Sequence, residues 1–441
     1  MNTPTSASQA VLDRAVRKAF WRLLPLCFIC YVIAYVDRVN VSFAALTMGK
    51  DLAGFDKKVL GFGAGMFFWG YFLLEIPGSI LVEKWSARKW IARIMITWGI
   101  IAAATSLVAT PTQFYVLRFL LGLAEAGFFP GMIVYLTHWF PSKARTKTVA
   151  TFIIATPTAQ MIGAPISGTI VDSMNYLGLR GCQWLYILWG MPAVILGIVV
   201  LFAMTDRPRH ARWLTREERE TLEAELEREK ALTKTRRRVT LLEGLSHPKI
   251  LLLCLAFILG VMANYSLEFF LPTILKTWYK IDIKEIKWLS VLPPMLALVG
   301  QIFIGWHSDR KKERRLHTVI PMLVAATALI LVSVSQGNLA LTVFLFMVAA
   351  AGIKSYQPSF WALPPLVLTE TAGAASIGLI NSVGNLGGFL GPSLMGSVKS
   401  YPVGLSILGG GLIVAASIVF FLGVGHKVGA VPPLAVARQQ T

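Results

Sequence analysis

The chain has 441 residues, of which 55% are hydrophobic and 15% are charged, and its formal net charge is +19. An ordinary soluble domain is about 25% charged, so this composition excludes a soluble enzyme or binding module of average make-up. The mean hydropathy is +0.62, and the apolar residues come in blocks of about 20, the length that spans a bilayer. The composition therefore predicts a protein that crosses a membrane many times.

Twelve apolar blocks follow one another along the chain. No water satisfies the backbone inside a bilayer, so each block is predicted to be a helix and the fold class is an all-α membrane protein with twelve transmembrane helices. The blocks cover residues 22–46, 59–82, 90–110, 112–138, 147–171, 182–204, 249–275, 286–306, 318–335, 338–360, 371–398 and 402–424.

Lysine and arginine collect in alternate connections between these blocks. The basic clusters lie at 14–22, 84–93, 143–147 and 310–315, which all fall on one side of the predicted bundle. That side is predicted to be cytoplasmic, with both termini inside. The connection 276–287, with four lysines, departs from the pattern. The net charge thus indicates topology rather than binding to nucleic acid.

One long polar segment, residues 205–248, divides the blocks into six and six. It contains Thr215 and Glu218 at the spacing of a capping box, which predicts a short helix at the membrane surface. We therefore expect an N-terminal bundle over 1–204, a cytoplasmic linker over 205–248, and a C-terminal bundle with a cytoplasmic tail over 249–441. A regulatory or partner-binding role of the linker is the alternative to a solvated connection.

The two halves repeat each other weakly. Asp309 in "GWHSDRKKERR" follows Glu83 in "SILVEKWSARK" by 226 residues. Pro392 follows Pro165 by 227 residues, and "YQPSFWALP" follows "FFPGMIVYL" by 228. Near-equal offsets predict a duplicated six-helix unit. Two parallel six-helix halves with a site between them, near the bilayer midplane, are the architecture of major facilitator transporters.

Several motifs resemble one branch of that superfamily, the anion:cation symporter family. The segments that carry the resemblance are "YVDRVNVSFAALTM", "GYFLLEIPGSIL", "ARKWIARIMITWGI", "RFLLGLAEAGFFPGMIVYLTHWFP", "FFLPTILK", "GWHSDR", "FWALP" and "GLINSVGNLGGFLGP". The family includes carriers of sugar acids, tartrate, phthalate and hydroxyphenylacetate. The chain departs from the loop signature of the superfamily at Glu83 and Ser86. Lys354 and Glu268 are not expected in every member of the symporter family, which leaves the substrate open.

Asp37 and Arg38 stand side by side in the first block, where each charge costs roughly 2.5–3.5 kcal/mol. Consecutive helical residues point about 100° apart, so the two cannot pair with each other and must face separate partners or a cavity. The resemblance implies that Arg38 holds a substrate carboxylate and that Asp37 carries a proton. A guanidinium can grip a carboxylate with two hydrogen bonds. A structural pair that ties the first helix to its neighbours is the alternative.

The fourth block supplies a second acid. Arg118 and Glu125 are seven residues apart and share one helix face. The resemblance implies that Glu125 couples protons, and we expect Arg118 to be its charge partner, with simple packing as the alternative. Glu75 is a further candidate for proton coupling or gating, unless it pairs with basic residues of the loop. Glu268 has no evident partner in the sequence.

Polar residues elsewhere complete the predicted site. Asn381 and Asn385 share a helix face with small residues, and their amides suit hydroxyls and carboxylates. Trp361 offers a flat wall for a ring, and Lys354 either binds a carboxylate or extends to the cytoplasm. The predicted substrate-binding residues are Arg38, Asn381, Trp361, Asn385, Tyr71, Lys354 and Gln160, with Tyr35 as a weaker candidate; the predicted gating residues are Arg118, Glu83, Asp309, Arg310 and Glu75.

The sequence shows no nucleophile with its base, no metal-ligand spacing and no phosphate loop, so no catalytic or metal residue is predicted. We expect a proton-coupled importer of a small organic anion, a hydroxylated mono- or dicarboxylate, that works by alternating access. The alternatives are a carrier of aromatic carboxylates, an anion exchanger, or a transporter-like sensor. The expected setting is the bacterial inner membrane, as a monomer without a cofactor, with the proton as coupling ion and the bilayer as its surroundings.

Overall fold

The structure is a computed structural model that describes residues 6–234, 247–367 and 370–425, and within these ranges the chain contains helices and no strand. The α-helices are α1 (Ser6–Val39), α2 (Val41–Asp51), α3 (Lys57–Lys84), α4 (Ala87–Ala104), α5 (Pro111–Glu125), α6 (Phe128–Thr137), α7 (Ser142–Ile153), α8 (Ala155–Ser173), α9 (Gly181–Ala203), α10 (Arg216–Lys234), α11 (Pro248–Tyr279), α12 (Ile283–Leu289), α13 (Leu292–Lys311), α14 (Arg315–Val332), α15 (Leu339–Phe360), α16 (Pro364–Val367), α17 (Glu370–Gly384), α18 (Gly387–Ser397) and α19 (Tyr401–Phe421).

Each of the twelve predicted apolar blocks falls on one or two of these helices, which confirms the all-α class. Ten helical segments in the described ranges are long and apolar enough to cross a membrane. The other two blocks correspond to α3 and to α17 with α18, and α3 packs against α18 inside the bundle.

Large apolar side chains cover the outside of the bundle. Leu73, Ile195, Val299, Phe344 and Ile407 lie within long helices and are 45–63% exposed. A soluble protein rarely exposes apolar surface on this scale, whereas lipid tails are the solvent that such side chains prefer. The exposed apolar surface therefore agrees with a chain that crosses the membrane many times.

Helices pack mainly within two groups, α1–α9 and α11–α19. In the first group α4 lies along α9, and α3 along α5. In the second group α15 lies between α13 and α14, and α14 also contacts α19. These groups correspond to the expected six-helix halves, while the boundaries at 204 and 248 stay a prediction.

The linker helix α10 begins with the predicted capping box. The Thr215 backbone N–H donates to Glu218 Oε2 at 2.9 Å, and the Glu218 N–H donates to Thr215 Oγ1 at 3.2 Å. Lys18 of α1 donates to Glu218 at 2.9 Å, which fixes α10 to the first group. Burial disfavours the Glu218 charge, but the hydrogen bonds from Lys18 and Thr215 outweigh burial and hold the pKa of Glu218 below its usual range.

The two groups of helices meet at the end of the bundle away from α10, which we call the far end; the connections 52–56, 280–282 and 398–400 lie there. Three lysine side chains hydrogen-bond across the groups at this end. Their contacts are Lys57 Nζ to the Val398 carbonyl at 2.9 Å, Lys276 Nζ to the Leu46 carbonyl at 2.7 Å, and Lys287 Nζ to Thr169 Oγ1 at 2.8 Å. Two of the four lysines that break the charge pattern are thus engaged in contacts between the groups.

Two glycines bring α3 and α18 into direct backbone contact at the far end. A Cβ added to Gly61 would lie 2.4 Å from the Pro392 carbonyl oxygen and 2.9 Å from Gly396 Cα. Any side chain at Gly61 would therefore push the two helices apart. The far end is closed in this structure by backbone packing as well as by the lysine contacts.

Candidate functional site

Asp37 and Arg38 lie in the last turn of α1 and point to different partners, as the helical geometry predicts. Asp37 is 1% exposed and its Oδ1 accepts a hydrogen bond from Asn40 Nδ2 at 2.9 Å. The other carboxyl oxygen, Oδ2, is buried without a hydrogen-bond partner in the protein. A buried carboxyl oxygen without a donor is costly as an anion, so the environment of Asp37 suits a group that takes up and releases a proton.

Arg38 is at the centre of a buried polar cluster between the two groups of helices. Its Nη2 forms an ion pair with Glu125 Oε1 of α5. Its Nη1 donates to the Tyr265 hydroxyl of α11 at 3.1 Å. The guanidinium also lies over the rings of Phe67 and Tyr71, 5.2 and 5.0 Å from their centroids. Arg38 is 8% exposed, so this charge depends on its protein partners rather than on water.

Glu125 is the last residue of α5, and the chain is interrupted immediately after it. Gly127 adopts φ +84°, a left-handed conformation that costs glycine little, and the helix then resumes as α6. Glu125 is 0% exposed, and its second oxygen, Oε2, has no hydrogen-bond partner in the protein. The interruption places a carboxyl group at the carboxyl end of a half-helix, where the helix dipole disfavours negative charge. The charge of Glu125 is therefore balanced mainly by Arg38.

Arg118 forms no ion pair with Glu125, because Arg38 occupies that position, so its expected role as a charge partner stays a prediction. Arg118 is fully buried, and its Nη2 donates to the Ala64 carbonyl of α3 at 3.4 Å. Its guanidinium lies 5.3 Å from the centroid of the Phe67 ring, on which Arg38 also stacks. Arg118 is thus a second buried cation near the pair, without a direct contact to Glu125.

A second charged cluster joins α1, α11 and α15. Lys354 Nζ lies 3.0 Å from Glu268 Oε1. The Tyr35 hydroxyl donates to both oxygens of Glu268, at 2.9 and 3.0 Å, and also accepts a hydrogen bond from Lys354 at 3.4 Å. The structure therefore gives Glu268 the partner that the sequence did not reveal. Of the two alternatives for Lys354, the structure shows a bond to a carboxylate inside the bundle and not an extension to the cytoplasm.

A cavity of about 700 Å³, including the part open to solvent, lies between the two groups of helices, and Glu268 and Lys354 of the second cluster line it. Its polar wall includes the amides of Asn40, Gln160 and Asn264, and its charged wall consists of Glu268 and Lys354. Gln160 was predicted to bind substrate, and the structure places it on this wall. A pocket with amides, hydroxyls and one ion pair can recognise a small polar anion by hydrogen bonds and charge.

Glu75 connects α3 to α17 and the turn after it. Its Oε1 accepts from Asn381 Nδ2 at 2.6 Å, and its Oε2 accepts from Asn385 Nδ2 at 3.2 Å. The alternative that Glu75 pairs with basic residues of the loop is therefore wrong, and its proposed role in proton coupling or gating stays a prediction. Asn381 and Asn385 share a face, as predicted, but they direct their amide donors to Glu75 in this structure, and neither lines the cavity beside Glu268 and Lys354.

Comparison with known protein families identifies the family of this chain. A family model described as "Major Facilitator Superfamily" matches residues 27–392. The chain belongs to the major facilitator superfamily. Its membership places it among membrane transporters rather than enzymes.

This facilitator is similar to relatives and solved structures over nearly its whole length. It is 41% identical over 417 residues to a protein of Agrobacterium vitis named "Putative tartrate transporter", covering 93% of this chain and 91% of the relative. It is 33% identical to "Inner membrane transport protein RhmT" of Escherichia coli, covering 96% and 98%. The inward-open xylose transporter XylE of E. coli superposes with a TM-score of 0.73 at 12% identity, covering 92% and 96%, which shows the shared fold.

The remaining predicted residues of the facilitator lie away from the cavity. The Trp361 ring packs against Phe257, with centroids 4.7 Å apart, so its role as a wall for substrate stays a prediction. Asp309 forms an ion pair with Arg314 at 2.6 Å, and Arg310 lies over a tryptophan ring. The side chain of Glu83 lies outside the described part of the chain. In the described ranges no cluster of three or more His, Cys, Asp or Glu side chains could hold a metal ion.

Sequence reasoning missed two residues that contact the charged groups of this site. Tyr265 contacts Arg38, and Asn40 contacts Asp37. Tyr265 looks like one of many aromatic residues in an apolar helix, and its three-residue spacing from Glu268 was the one available sign. Asn40, three residues after Asp37, could have been recognised as a neighbour on the same helix face.

Proposed function

We propose that this chain is a proton-coupled symporter that takes up a small organic anion, a hydroxylated mono- or dicarboxylate, by alternating access. The observation that carries the proposal is the buried ion pair between Arg38 and Glu125 in the middle of the bundle. Both groups are almost fully buried, so each needs the other, or a substitute of the same charge.

Competition for Arg38 couples the two fluxes. A substrate carboxylate and the Glu125 carboxylate are alternative partners of the same guanidinium, and both cannot satisfy it at once. A proton on Glu125 removes its negative charge and frees Arg38 for the substrate. Anion and proton therefore enter the site together, and Tyr265, which contacts Arg38 from α11, connects their arrival to the second group of helices.

Asp37 is the second proposed proton site. It lies next to Arg38 in sequence but faces Asn40, and one of its oxygens has no protein partner. A carboxyl group with this environment can change protonation without breaking the Arg38 contact directly. We propose that Asp37 relays the transported proton and ends each cycle with its starting charge, while Arg118, the other buried arginine, limits the cost of that charge.

The lining of the cavity favours a hydroxylated carboxylate. Amides of Asn40, Gln160 and Asn264 can donate to carboxylate oxygens and accept from hydroxyl groups. The 41% identical relative named "Putative tartrate transporter" supports the same substrate class. Tyr71, Asn381 and Asn385 are proposed to join the site when the helices move, because all three lie at the contact between α3 and the second group or beside Arg38.

The closed far end supports alternating access. In the described ranges, side-chain hydrogen bonds that join the two groups of helices lie at the far end and in the middle of the bundle, around Arg38, Tyr35 and Glu75. The α10 end shows no such bond among these residues. We propose that the structure represents the state closed to the outside, and that breaking the lysine and glycine contacts opens it.

Substitution of Gly61 by leucine should open the far end. A side chain there meets the backbone of α18, and overpacking of this kind costs about 1–3 kcal/mol. The share of molecules open to the outside should rise by roughly tenfold. The measurement is labelling of Ser42→Cys, in the cavity wall, by a membrane-impermeant maleimide added outside intact cells.

The control for this experiment is Gly410→Leu, since a Cβ added to Gly410 meets nothing within 4 Å. A parent protein without Ser42→Cys accounts for the native cysteines, which are buried. Equal labelling in the Gly61 and Gly410 variants would show that the α3–α18 contact does not close the far end.

Uptake into liposomes tests the proposed function as a whole. Purified protein should accumulate a hydroxylated carboxylate when the lumen is alkaline and stop when a protonophore removes the gradient. A panel of hydroxylated, aromatic and unsubstituted carboxylates identifies the class. Dependence on sodium, or uptake only in exchange for internal anion, would contradict proton symport.

The proposed setting is the bacterial inner membrane, with both termini and the linker 205–248 in the cytoplasm. The basic clusters near the α10 end support this orientation. The 33% identical relative is named an inner membrane transport protein, which agrees with the location. We further propose that one chain is the working unit.

A further inference from the structure

The charged wall of the cavity is formed by Lys354 and Glu268, and neither Arg38 nor Glu125 lines it. The side chains of Lys354 and Glu268 are 12% and 10% exposed, and both reach the cavity. A structural ion pair has no need to face a cavity that a substrate enters. Their position makes them the first charged groups that an anion in this cavity meets.

The contacts of the Lys354–Glu268 pair resemble those of Arg38, one helical turn away. In each case a charged side chain of one helix bonds to a tyrosine of the other. On α1, Tyr35 precedes Arg38 by three residues; on α11, Glu268 follows Tyr265 by three. Tyr35 bonds Glu268, and Arg38 bonds Tyr265, so the two helices form two polar contacts in succession. Three helical residues rise about 4.5 Å along the helix axis, so the two polar contacts lie about one turn apart, on the length scale of a short dicarboxylate.

We infer that Lys354 is a second carboxylate subsite, that Glu268 is its resident counter-ion, and that the substrate is a short dicarboxylate held between Arg38 and Lys354. The inference rests on the proposed function, in which Arg38 holds the first carboxylate. Each end of the substrate replaces one glutamate, Glu125 at Arg38 and Glu268 at Lys354. The Tyr35 hydroxyl, which contacts both Glu268 oxygens, keeps the displaced side chain in place.

Charge balance determines the number of protons. When a substrate carboxylate replaces a glutamate beside a buried cation, the displaced glutamate takes up a proton and becomes neutral. The cation then still has one negative partner, so the local charge stays balanced. Protonation of Glu125 and Glu268 forms two O–H bonds, and no other covalent bond forms or breaks. Both protons are released with the substrate on the other side of the membrane. A dianion should therefore enter with two protons, and a monocarboxylate of the same length with one.

Tartrate and threonate give a matched pair of probes, because threonate has a hydroxymethyl group where tartrate has its second carboxylate. In liposomes, the Lys354→Met/Glu268→Gln double variant should lower the ratio of tartrate to threonate uptake by about 10- to 100-fold, the range for a lost charged hydrogen bond. Lys58→Met, which removes an exposed lysine outside the cavity, should leave this ratio unchanged. Glu268→Gln alone should keep tartrate counterflow and reduce the protons carried per tartrate from two to one.

An unchanged ratio in the double variant, or equal loss of both acids, would overturn the inference and make the pair structural. The same holds if native protein accumulates aromatic monocarboxylates but not tartrate, an outcome that leaves proton symport intact. Absence of pH-driven uptake of any carboxylate by the native protein would instead reject the proposed function. If the Glu268→Gln variant still carries two protons per tartrate, the second proton binds at another residue.

Discussion

Replacing Glu125 by glutamine is expected to abolish pH-driven accumulation of substrate while exchange of substrate across the membrane continues. Glutamine resembles a glutamate that always carries its proton, so Arg38 stays free to bind the anion. A carrier in that state can move loaded in both directions, since exchange requires no net movement of protons. Accumulation against a gradient requires the proton to leave, which glutamine cannot provide.

Preloaded liposomes measure the two activities separately. Counterflow reports exchange, and uptake driven by an alkaline lumen reports coupling. Glu285→Gln is the matched control, because this glutamate is exposed at the far end and should leave both activities unchanged. Loss of counterflow in a folded Glu125 variant that still binds substrate would assign Glu125 a structural role and contradict the proposed competition.

Replacing Arg38 by lysine is expected to weaken transport severely although the charge is kept. The guanidinium serves Glu125 and Tyr265 with different nitrogens and stacks on two aromatic rings. A lysine ammonium cannot reproduce this planar geometry. One charged hydrogen bond is worth about 1.5–3 kcal/mol, so kcat/KM should fall by roughly 10- to 100-fold or more.

The comparison for this variant is Arg17→Lys, at an exposed position of α1. Initial uptake rates over a range of substrate concentrations, at equal protein in the liposomes, separate a loss of binding from a loss of turnover. Near-native kcat/KM in Arg38→Lys would show that charge alone suffices. The two-bond geometry of Arg38 would then have no part in recognition.

The helical fold was predictable because lipid imposes it. The length of the apolar blocks and the absence of water at depth leave helices as the available structure, and all twelve blocks fall on helices. The divergence of Asp37 and Arg38 was equally predictable, since it follows from the angle between neighbouring helical residues. Both inferences depend on local geometry within one segment.

The partners of the charged residues could not be predicted in the same way. Arg38 and Glu125 are 87 residues apart, and Glu75 and Asn381 are 306 apart. The sequence indicates that buried charges need partners, but several arginines and acids were available. Arg118 was the nearest choice for Glu125 within its own helix, but in the fold Arg38 of α1 pairs with Glu125 instead.

The lysines of the 276–287 connection show a second limit. By count they contradict the charge pattern of the loops, yet Lys276 and Lys287 donate to Leu46 and Thr169 in the first group of helices. A rule about loop charge treats every lysine as solvated. Tertiary contacts that use a lysine as a hydrogen-bond donor are invisible to such a rule.

Uptake of protons from solution during substrate binding tests the central claim most directly. Purified protein in weakly buffered detergent solution, with a pH indicator, is mixed with the carboxylate that the liposome panel identifies. If the anion replaces Glu125 at Arg38, binding should make the solution more alkaline, affinity should weaken as the pH rises, and Glu125→Gln should bind with less proton uptake. Binding that takes up no proton and keeps the same affinity across this pH range would contradict the exchange of Glu125 for substrate.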